Sequence, residues 1–471
     1  MKVSLIFTPN RINPHYKPVA FRDERLGFIP PVSLLVVAAI MEKEGVEVDL
    51  IDMEAERLSH EAALERIRRF SPDLLGFTIT TLSFHATLEW IRKLKQDTGI
   101  PVMVGGEHVR IYPFETMSHN EIDFCIIGEA ELPLPEFIRA FREKRPYEGI
   151  KSLGYRKDGD VIIDRTLQFV EDLDTVPFPA RHLIRNELYE NILTRRKNFT
   201  AFVSSRGCPF NCAFCNHNHQ KYRTRSVQNV VDEIEMNLKQ FGIRDFDIYD
   251  STFTADRKRV IAICEEIHRR KLKVGFTVRS RVDVITRDMI DSLKAAGCHT
   301  IMYGIESSNP EILKRMNKGI TPELVMEKVQ YTHQSGIKAL GFFLFGFPGE
   351  NRETIEDTIN FALKLPLDYA LFSILLPQPE TEIYEYYWKR GLGDYWAEYT
   401  LDESKDELIE FIDTGVTRAE ASEYAVTAYR RFFFRPRIIW DRFKKLRSFG
   451  EFRRLFSGAV GILAGNDKKR S

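Results

Sequence analysis

Three cysteines on one short stretch, Cys208, Cys212 and Cys215, carry the strongest chemical signal in the chain. They stand in the run Ser204-Ser205-Arg206-Gly207-Cys208-Pro209-Phe210-Asn211-Cys212-Ala213-Phe214-Cys215, a C-x3-C-x2-C spacing. Three thiolates on one loop can hold three corners of a 4Fe–4S cube. The fourth iron is then left without a protein ligand, whereas structural clusters take four cysteines. An iron with an open position can bind a substrate or cofactor. A structural zinc ion is the competing reading, because His217 and His219 follow and Cys3His is a known tetrahedral set. The apolar run 199–203 reads as a strand that ends just before the loop.

The spacing, the aromatic Phe214 ahead of the third cysteine, and phrases further along the chain resemble the radical S-adenosylmethionine (SAM) enzymes. The resemblance implies that a 4Fe–4S cluster chelates the amino and carboxylate groups of SAM at its open iron. Phe214 would lie against the adenine, and an electron from the cluster would cleave SAM to a 5′-deoxyadenosyl radical. In Tyr249-Asp250-Ser251-Thr252-Phe253, Asp250 is carried over to the methionine amino group. Members of this branch often show two consecutive acids there, and Ser251 takes the second place. Arg279, favoured over Arg281, would grip the SAM carboxylate with its fork. Glu306 in Gly304-Ile305-Glu306-Ser307 would meet the ribose hydroxyls or the methionyl end. Gly346 and Gly349 in Gly346-Phe347-Pro348-Gly349-Glu350 match the family's Gly-x-Pro-Gly-Glu turn, which presents backbone to adenine. Each phrase alone is also explained by an ordinary tight turn; their order behind the cysteines is what counts. No residue is assigned as a catalytic acid, base or nucleophile.

The elements that must position these residues fall into blocks. Residues 1–150 alternate apolar runs (3–7, 46–51, 74–79, 102–104, 124–127) with amphipathic stretches (33–43, 60–69, 86–96). That alternation predicts an α/β fold with a doubly wound parallel sheet, whose ligand edge lies outside the carboxyl ends of the strands. Thr8, Thr78, Gly105, Gly106, Gly128 and Glu129 stand at those ends. The phrases 72–78, 104–108 and 128–131 resemble the cobalamin-binding domain fused ahead of many radical SAM enzymes, which implies that these residues line a corrinoid. The Asp-x-His-x-x-Gly motif that would place a His under the cobalt is absent from the chain. Many radical SAM members lack it too, so its absence removes the His ligand and leaves the cofactor open. His85 and His108 are expected to be solvated or packed in the core, with a cobalt-ligand role for His85 as the sharper alternative; His15 has no assigned place.

Residues 151–195 read as a linker with a hairpin turning at Asp158-Gly159. Residues 196–385 repeat strand then helix about six times, an incomplete (β/α)6 barrel open on one side, with its chemistry at the strand carboxyl ends. Residues 386–471 read as a C-terminal helical domain. Its basic and aromatic run after Arg430 is either a lid on the barrel or an amphipathic surface for membranes.

The whole chain sets bounds. With 68 basic and 68 acidic side chains there is no global field toward nucleic acid, and no RNA-binding module is present. Cys125, Cys264 and Cys298 read as buried free thiols in a reducing, oxygen-poor cytosol. No signal peptide and no spanning helix are predicted, so the expected location is cytoplasmic, with peripheral membrane contact through the C-terminal run.

The family resemblance implies cobalamin-dependent C-methylation of an unactivated carbon in a small or lipid-like substrate, with electrons from a flavodoxin or ferredoxin. An anaerobic magnesium-protoporphyrin monomethyl ester cyclase is similar in domain order and in a phrase like Phe434-Arg435-Pro436. An oxidative cyclisation or another radical rearrangement therefore stays open. So does a different class, a cobalamin- or tetrapyrrole-binding protein with a dead barrel, against which the intact cysteine triplet argues.

Overall fold

Near-continuous apolar runs such as Val3–Phe7 suit strands buried on both faces, and the chain uses them to build two sheets. A computed structural model describes residues 1–9, 27–191, 193–196, 198–216, 221–405 and 408–436. His15, the pair His217 and His219, and the basic-aromatic run beyond residue 436 lie outside the described residues.

The chain divides into two compact units. The first holds β1 (Lys2–Phe7), α1 (Val32–Lys43), β2 (Glu47–Asp52), α2 (His60–Phe70), β3 (Leu74–Thr78), α3 (Phe84–Thr98), β4 (Val102–Gly105), α4 (Glu107–Ile111), α5 (Pro113–Met117), β5 (Phe124–Ile126) and α6 (Pro133–Glu143). Its sheet runs β2-β1-β3-β4-β5, all parallel, so the winding direction reverses between β1 and β3, where a doubly wound sheet binds its ligand. The hairpin expected in a linker instead extends this sheet. β6 (Leu153–Lys157) pairs antiparallel with β5, and β7 (Asp160–Ile163) with β6. Its turn residues Asp158 and Gly159 both take positive φ, 52° and 92°, the backbone that a two-residue turn of this hand requires.

The second unit opens with β8 (Phe199–Phe202), followed by the two-residue strands β9 (Ser205–Arg206) and β10 (Arg223–Thr224). Five strand–helix repeats follow: α7 (Val227–Phe241), β11 (Asp245–Ile248), α8 (Arg257–Arg269), β12 (Gly275–Ser280), α9 (Arg287–Ala296), β13 (Cys298–Glu306), α10 (Pro310–Arg315), α11 (Pro322–Gln334), β14 (Lys338–Phe345), α12 (Arg352–Lys364) and β15 (Tyr369–Ile374). The six long strands lie in the order β15-β14-β13-β12-β11-β8, all parallel. Each new strand adds beside the last, the singly wound path of a half-barrel, so every carboxyl end falls on one edge. Phe202, Phe246, Val278 and Ile301 are among the fully buried side chains that hold these strands.

The described residues of the last block divide between the two units. After α13 (Glu382–Tyr387), helix α14 (Tyr395–Leu401) groups with the first unit, while α15 (Arg418–Phe433) groups with the second. There Tyr429 Oη accepts from Phe372 N–H at 3.0 Å, tying α15 to β15. Among the described residues no helix is long and apolar enough to cross a membrane.

Candidate active site

β8 delivers the chain to the cysteine loop, and β9 pairs antiparallel with β10 to close its two feet. The carboxylate of Asp250, fully buried after β11, holds the first foot. It accepts from the N–H groups of Ser204 and Ser205 (2.6 and 3.0 Å) and from their hydroxyls (2.6 and 2.7 Å). Those four bonds use the carboxylate's acceptor sites. Arg259 adds a bond to Ser204 O at 2.8 Å. Gly207, at φ 75°, then turns the chain into Cys208. The far side of the loop is held by Ala213 N–H on Met316 O (3.0 Å), Ile383 N–H on Ala213 O (2.9 Å) and Asn317 Nδ2 on Asn211 O (2.7 Å).

Cys208 and Cys212 each meet a polar group through sulfur. Arg281 Nη1 donates to Cys212 Sγ at 3.2 Å, and Cys208 Sγ lies 3.6 Å from Thr252 Oγ1. Cys212 is buried, whereas Cys208 and Cys215 are part-exposed. A buried guanidinium aimed at sulfur suits a negatively charged, metal-bound thiolate, so the donor set fits a cluster. Among the described residues no three His, Cys, Asp or Glu side chains gather around a point that a single ion could occupy. The remaining cysteines are of another kind. Burial pushes the thiols of Cys125 and Cys264 up to about 12, and that of Cys298 up as well, which keeps them protonated.

The other residues expected to meet SAM sit on the same carboxyl edge, several with partners the sequence did not reveal. Asp250, expected at the methionine amino group, has its oxygens bonded to Ser204 and Ser205 and so shapes the loop. Arg279, expected at the SAM carboxylate, has its fork bound to Asp247 (Nη1–Oδ1 2.8 Å, Nη2–Oδ2 3.1 Å), and its face stacks 3.8 Å over the exposed Tyr249 ring. Asp247 was missed, although its place directly beside Thr277 on β12 follows from strand register.

Glu306 ends β13 in the left-handed region, φ 67°, past a register shift at Gly304. Its Oε1 accepts from Lys318 Nζ at 2.8 Å, with both side chains under a tenth exposed. Lys318 also lies 5.6 Å from the Phe214 ring. Sequence reading passed over this lysine, which follows Lys314 and Arg315 in a basic stretch just before Gly319. A buried ion pair loses several kcal/mol of hydration per ion, so its presence at a strand end marks a place where ligand charge can be matched.

The Gly346–Glu350 turn is also occupied from within. Gly346 has φ 96°, and a β-carbon there would sit 2.0 Å from Cζ of Phe411. At Gly349 one would sit 2.6 Å from Arg315 Nη1. The open backbone expected at this turn is therefore covered by Phe411 and Arg315. Gly346→Ala combines left-handed strain with a steric clash and should cost about 2–4 kcal/mol, read as a lowered urea midpoint. A change below about 0.5 kcal/mol, the range of a neutral surface substitution, would contradict this packing.

Glu350, fully buried, accepts from the N–H groups of Gly346 (2.6 Å) and Phe347 (3.0 Å). Burial outweighs those bonds and pushes its pKa from 4.5 up to about 7. Between those values the unfolded chain has released the proton that the folded chain keeps. Stability should therefore fall as pH rises from about 4.5 to about 7, by on the order of 3 kcal/mol, and be flat above. Glu350→Gln, whose amide oxygen can take both N–H bonds, should remove that slope in denaturation curves collected across the interval. An unchanged slope would show that other groups carry it.

In the first unit, the six residues expected around a corrinoid all stand at strand carboxyl ends. Thr8 Oγ1 lies 3.2 Å from Thr87 Oγ1. Gly106, at φ 117°, passes so near β3 that a β-carbon would sit 2.5 Å from Ile79 O. Thr78 and Gly105 end β3 and β4. Gly128 follows β5 at φ 86°, and the Glu129 carboxylate accepts from Val170 N–H at 3.0 Å, holding the segment after β7 over this edge. Thr8 and Thr78 stand at the switch point between β1 and β3, and Gly105, Gly106 and Gly128 at the strand ends beside it, where glycine lets a bulky cofactor approach the backbone.

His108 is buried and packed, as expected. Thr400 donates to Trp396 O, so His108 Nε2 must donate to Thr400 Oγ1 (2.9 Å), leaving Nδ1 to accept from Thr81 (3.2 Å). Burial, with His85 and His119 nearby, pushes it down to about 3, so it stays neutral. His85 is part-buried, and its Nε2 donates to Tyr399 O at 2.6 Å.

Residues 202–362 match the family model of the Radical SAM superfamily, and residues 19–138 match that of the B12 binding domain. An uncharacterized methyltransferase of Pyrococcus horikoshii is 34% identical over 417 residues, covering 87% of this chain and 89% of the relative. The anaerobic magnesium-protoporphyrin IX monomethyl ester cyclase of Rubrivivax gelatinosus is 27% identical over 436 residues, 90% of this chain and 77% of that one. The solved structure of TsrM from Kitasatospora setae, a radical S-adenosylmethionine methyltransferase with cobalamin and a [4Fe-4S] cluster bound, covers 98% of this chain and 99% of its own. Its TM-score is 0.73 at 20% identity, a likeness of fold.

Proposed function

This chain belongs to the radical SAM enzymes that carry a B12-binding domain, and we propose that it methylates an unactivated carbon of a small or lipid-like molecule. In this reading Cys208, Cys212 and Cys215 hold a 4Fe–4S cluster. When bound, the cluster supplies the electron that cleaves SAM and an open iron for its amino-acid end, while cobalamin in the first unit carries the methyl group.

The observation that carries the reading is the buried Glu306–Lys318 pair beside Phe214, on the strand edge that also bears the cysteine loop. An amino-acid group bound at the open iron can still bond such a pair, its amine N–H donating to Glu306 and its carboxylate accepting from Lys318. Phe214 offers a ring face beside them, and Gly346 and Gly349 shape the neighbouring turn. Thr8, Thr78, Gly105, Gly106, Gly128 and Glu129 are the residues proposed to border the corrinoid. A low-potential electron donor such as flavodoxin or ferredoxin completes the system.

The test is anaerobic reconstitution with iron, sulfide and hydroxocobalamin, then desalting and incubation with methyl-labelled SAM and a strong reductant. Corrinoid absorbance should survive desalting, and label should move to the corrinoid or to added candidate substrates. A protein that retains no corrinoid and transfers no label contradicts the methylation reading. The similarity to the Rubrivivax cyclase favours oxidative cyclisation as a second reading; SAM cleavage with no methyl transfer to any substrate that is consumed selects it. A lipid-like substrate would put the enzyme at a membrane surface through the basic and aromatic run after Arg430. Equal liposome pelleting of the full chain and of one ending near Phe434 overturns that part.

A further inference from the structure

Arg281 is committed on every edge of its guanidinium. Nε and Nη2 bind the two oxygens of Asp283 at 2.9 and 2.8 Å, Nη2 also donates to Lys318 O, and Nη1 donates to Cys212 Sγ at 3.2 Å. Its face stacks 4.3 Å over Phe210, which lies in the loop between the first two cysteines. The side chain is 8% exposed. A protonated thiol is a weak acceptor, so a buried fork spending one N–H on sulfur makes sense when that sulfur carries negative charge.

We propose that Arg281 is a positioning residue that sets the reduction potential of the cluster through the Cys212 sulfur, a proposal that rests on the cluster assigned above. Reduction moves one electron from a low-potential donor to the cluster, with no bond formed or broken and no proton moved. The added negative charge spreads onto the thiolate sulfurs, and hydrogen bonds to those sulfurs and local charge are known levers on cluster potential. The Arg281 N–H touches Cys212, whereas Asp283 binds the opposite edge of the fork and stands farther off. The guanidinium therefore favours the reduced state, and Asp283 trims that effect. Removing the two charges should move the potential in opposite directions. A purely structural contact would not do so.

The experiment is a redox titration followed by electron paramagnetic resonance, without SAM, on reconstituted wild type, Arg281→Met, Arg281→Lys and Asp283→Asn. Arg281→Met should lower the reduced-to-oxidised ratio at fixed potential by about tenfold, a shift of about 59 mV for a one-electron couple. Asp283→Asn should raise the ratio. Arg281→Lys should fall between Arg281→Met and wild type, because one ammonium cannot reach Asp283, Lys318 O and Cys212 together. Shifts of the same sign in Arg281→Met and Asp283→Asn, or unmoved potentials with full iron content, overturn the proposal. If Arg281→Met fails to hold iron, the sign for Asp283→Asn decides. A wild type that takes up no iron–sulfur cluster fails at the earlier step and overturns the cluster assignment along with the proposal.

Discussion

Cys212→Ala should abolish reductive SAM cleavage while leaving the fold in place. The loop's anchors do not pass through this thiol. Asp250 holds Ser204 and Ser205, and Ala213 is tied to Met316 and Ile383 by its backbone. The cost in stability should be that of leaving one buried Arg281 N–H without its sulfur acceptor, about 1–3 kcal/mol. What is lost is one of three proposed iron ligands, together with the acceptor for Arg281 Nη1. Iron content after reconstitution should drop, and 5′-deoxyadenosine formation should fall to background, more than about a thousandfold or 4 kcal/mol in barrier. Wild-type levels of 5′-deoxyadenosine from this variant would remove the loop from the chemistry.

Asp250→Ala should have the largest effect on stability. Its carboxylate accepts two N–H and two O–H bonds in a fully buried place. The hydroxyls of Ser204 and Ser205 can turn to other acceptors, but their N–H groups cannot. At about 1–3 kcal/mol for each buried donor left unpaired, the loss should reach about 3–5 kcal/mol. Because Ser205 belongs to β9, the closure of β9 on β10 should loosen with it. Denaturant unfolding and iron retention should fall together. A variant within about 1 kcal/mol of wild type, a scale at which no buried donor is left unpaired, and with full iron would show that the loop is held by other means.

Local pattern made much of this molecule legible. The cysteine spacing, the alternation of apolar and amphipathic runs, and the Asp158-Gly159 turn each depend on a few neighbouring residues, and the strands and helices fall close to the expected limits. What sequence concealed is pairing between distant residues. Nothing near Arg279 shows that its fork belongs to Asp247, and nothing near Gly346 announces Phe411. His108 finds its partner in Thr400, 292 positions away, which is why α14 belongs with the first unit although the composition shift near residue 386 suggested a separate domain. Asp250 shows the same limit from the other side. Its position at a strand end marked it as important, but charge alone did not say whether it faced a ligand or its own backbone.

Reductive cleavage of SAM at the Cys208–Cys212–Cys215 loop is the step on which the proposed function rests. Its most direct measurement is 5′-deoxyadenosine, quantified after anaerobic incubation of the reconstituted full chain with SAM and a strong one-electron reductant. It should accumulate only with both the reductant and the intact cysteine loop. No 5′-deoxyadenosine from protein shown to carry its full complement of iron and sulfide would contradict cleavage at this loop.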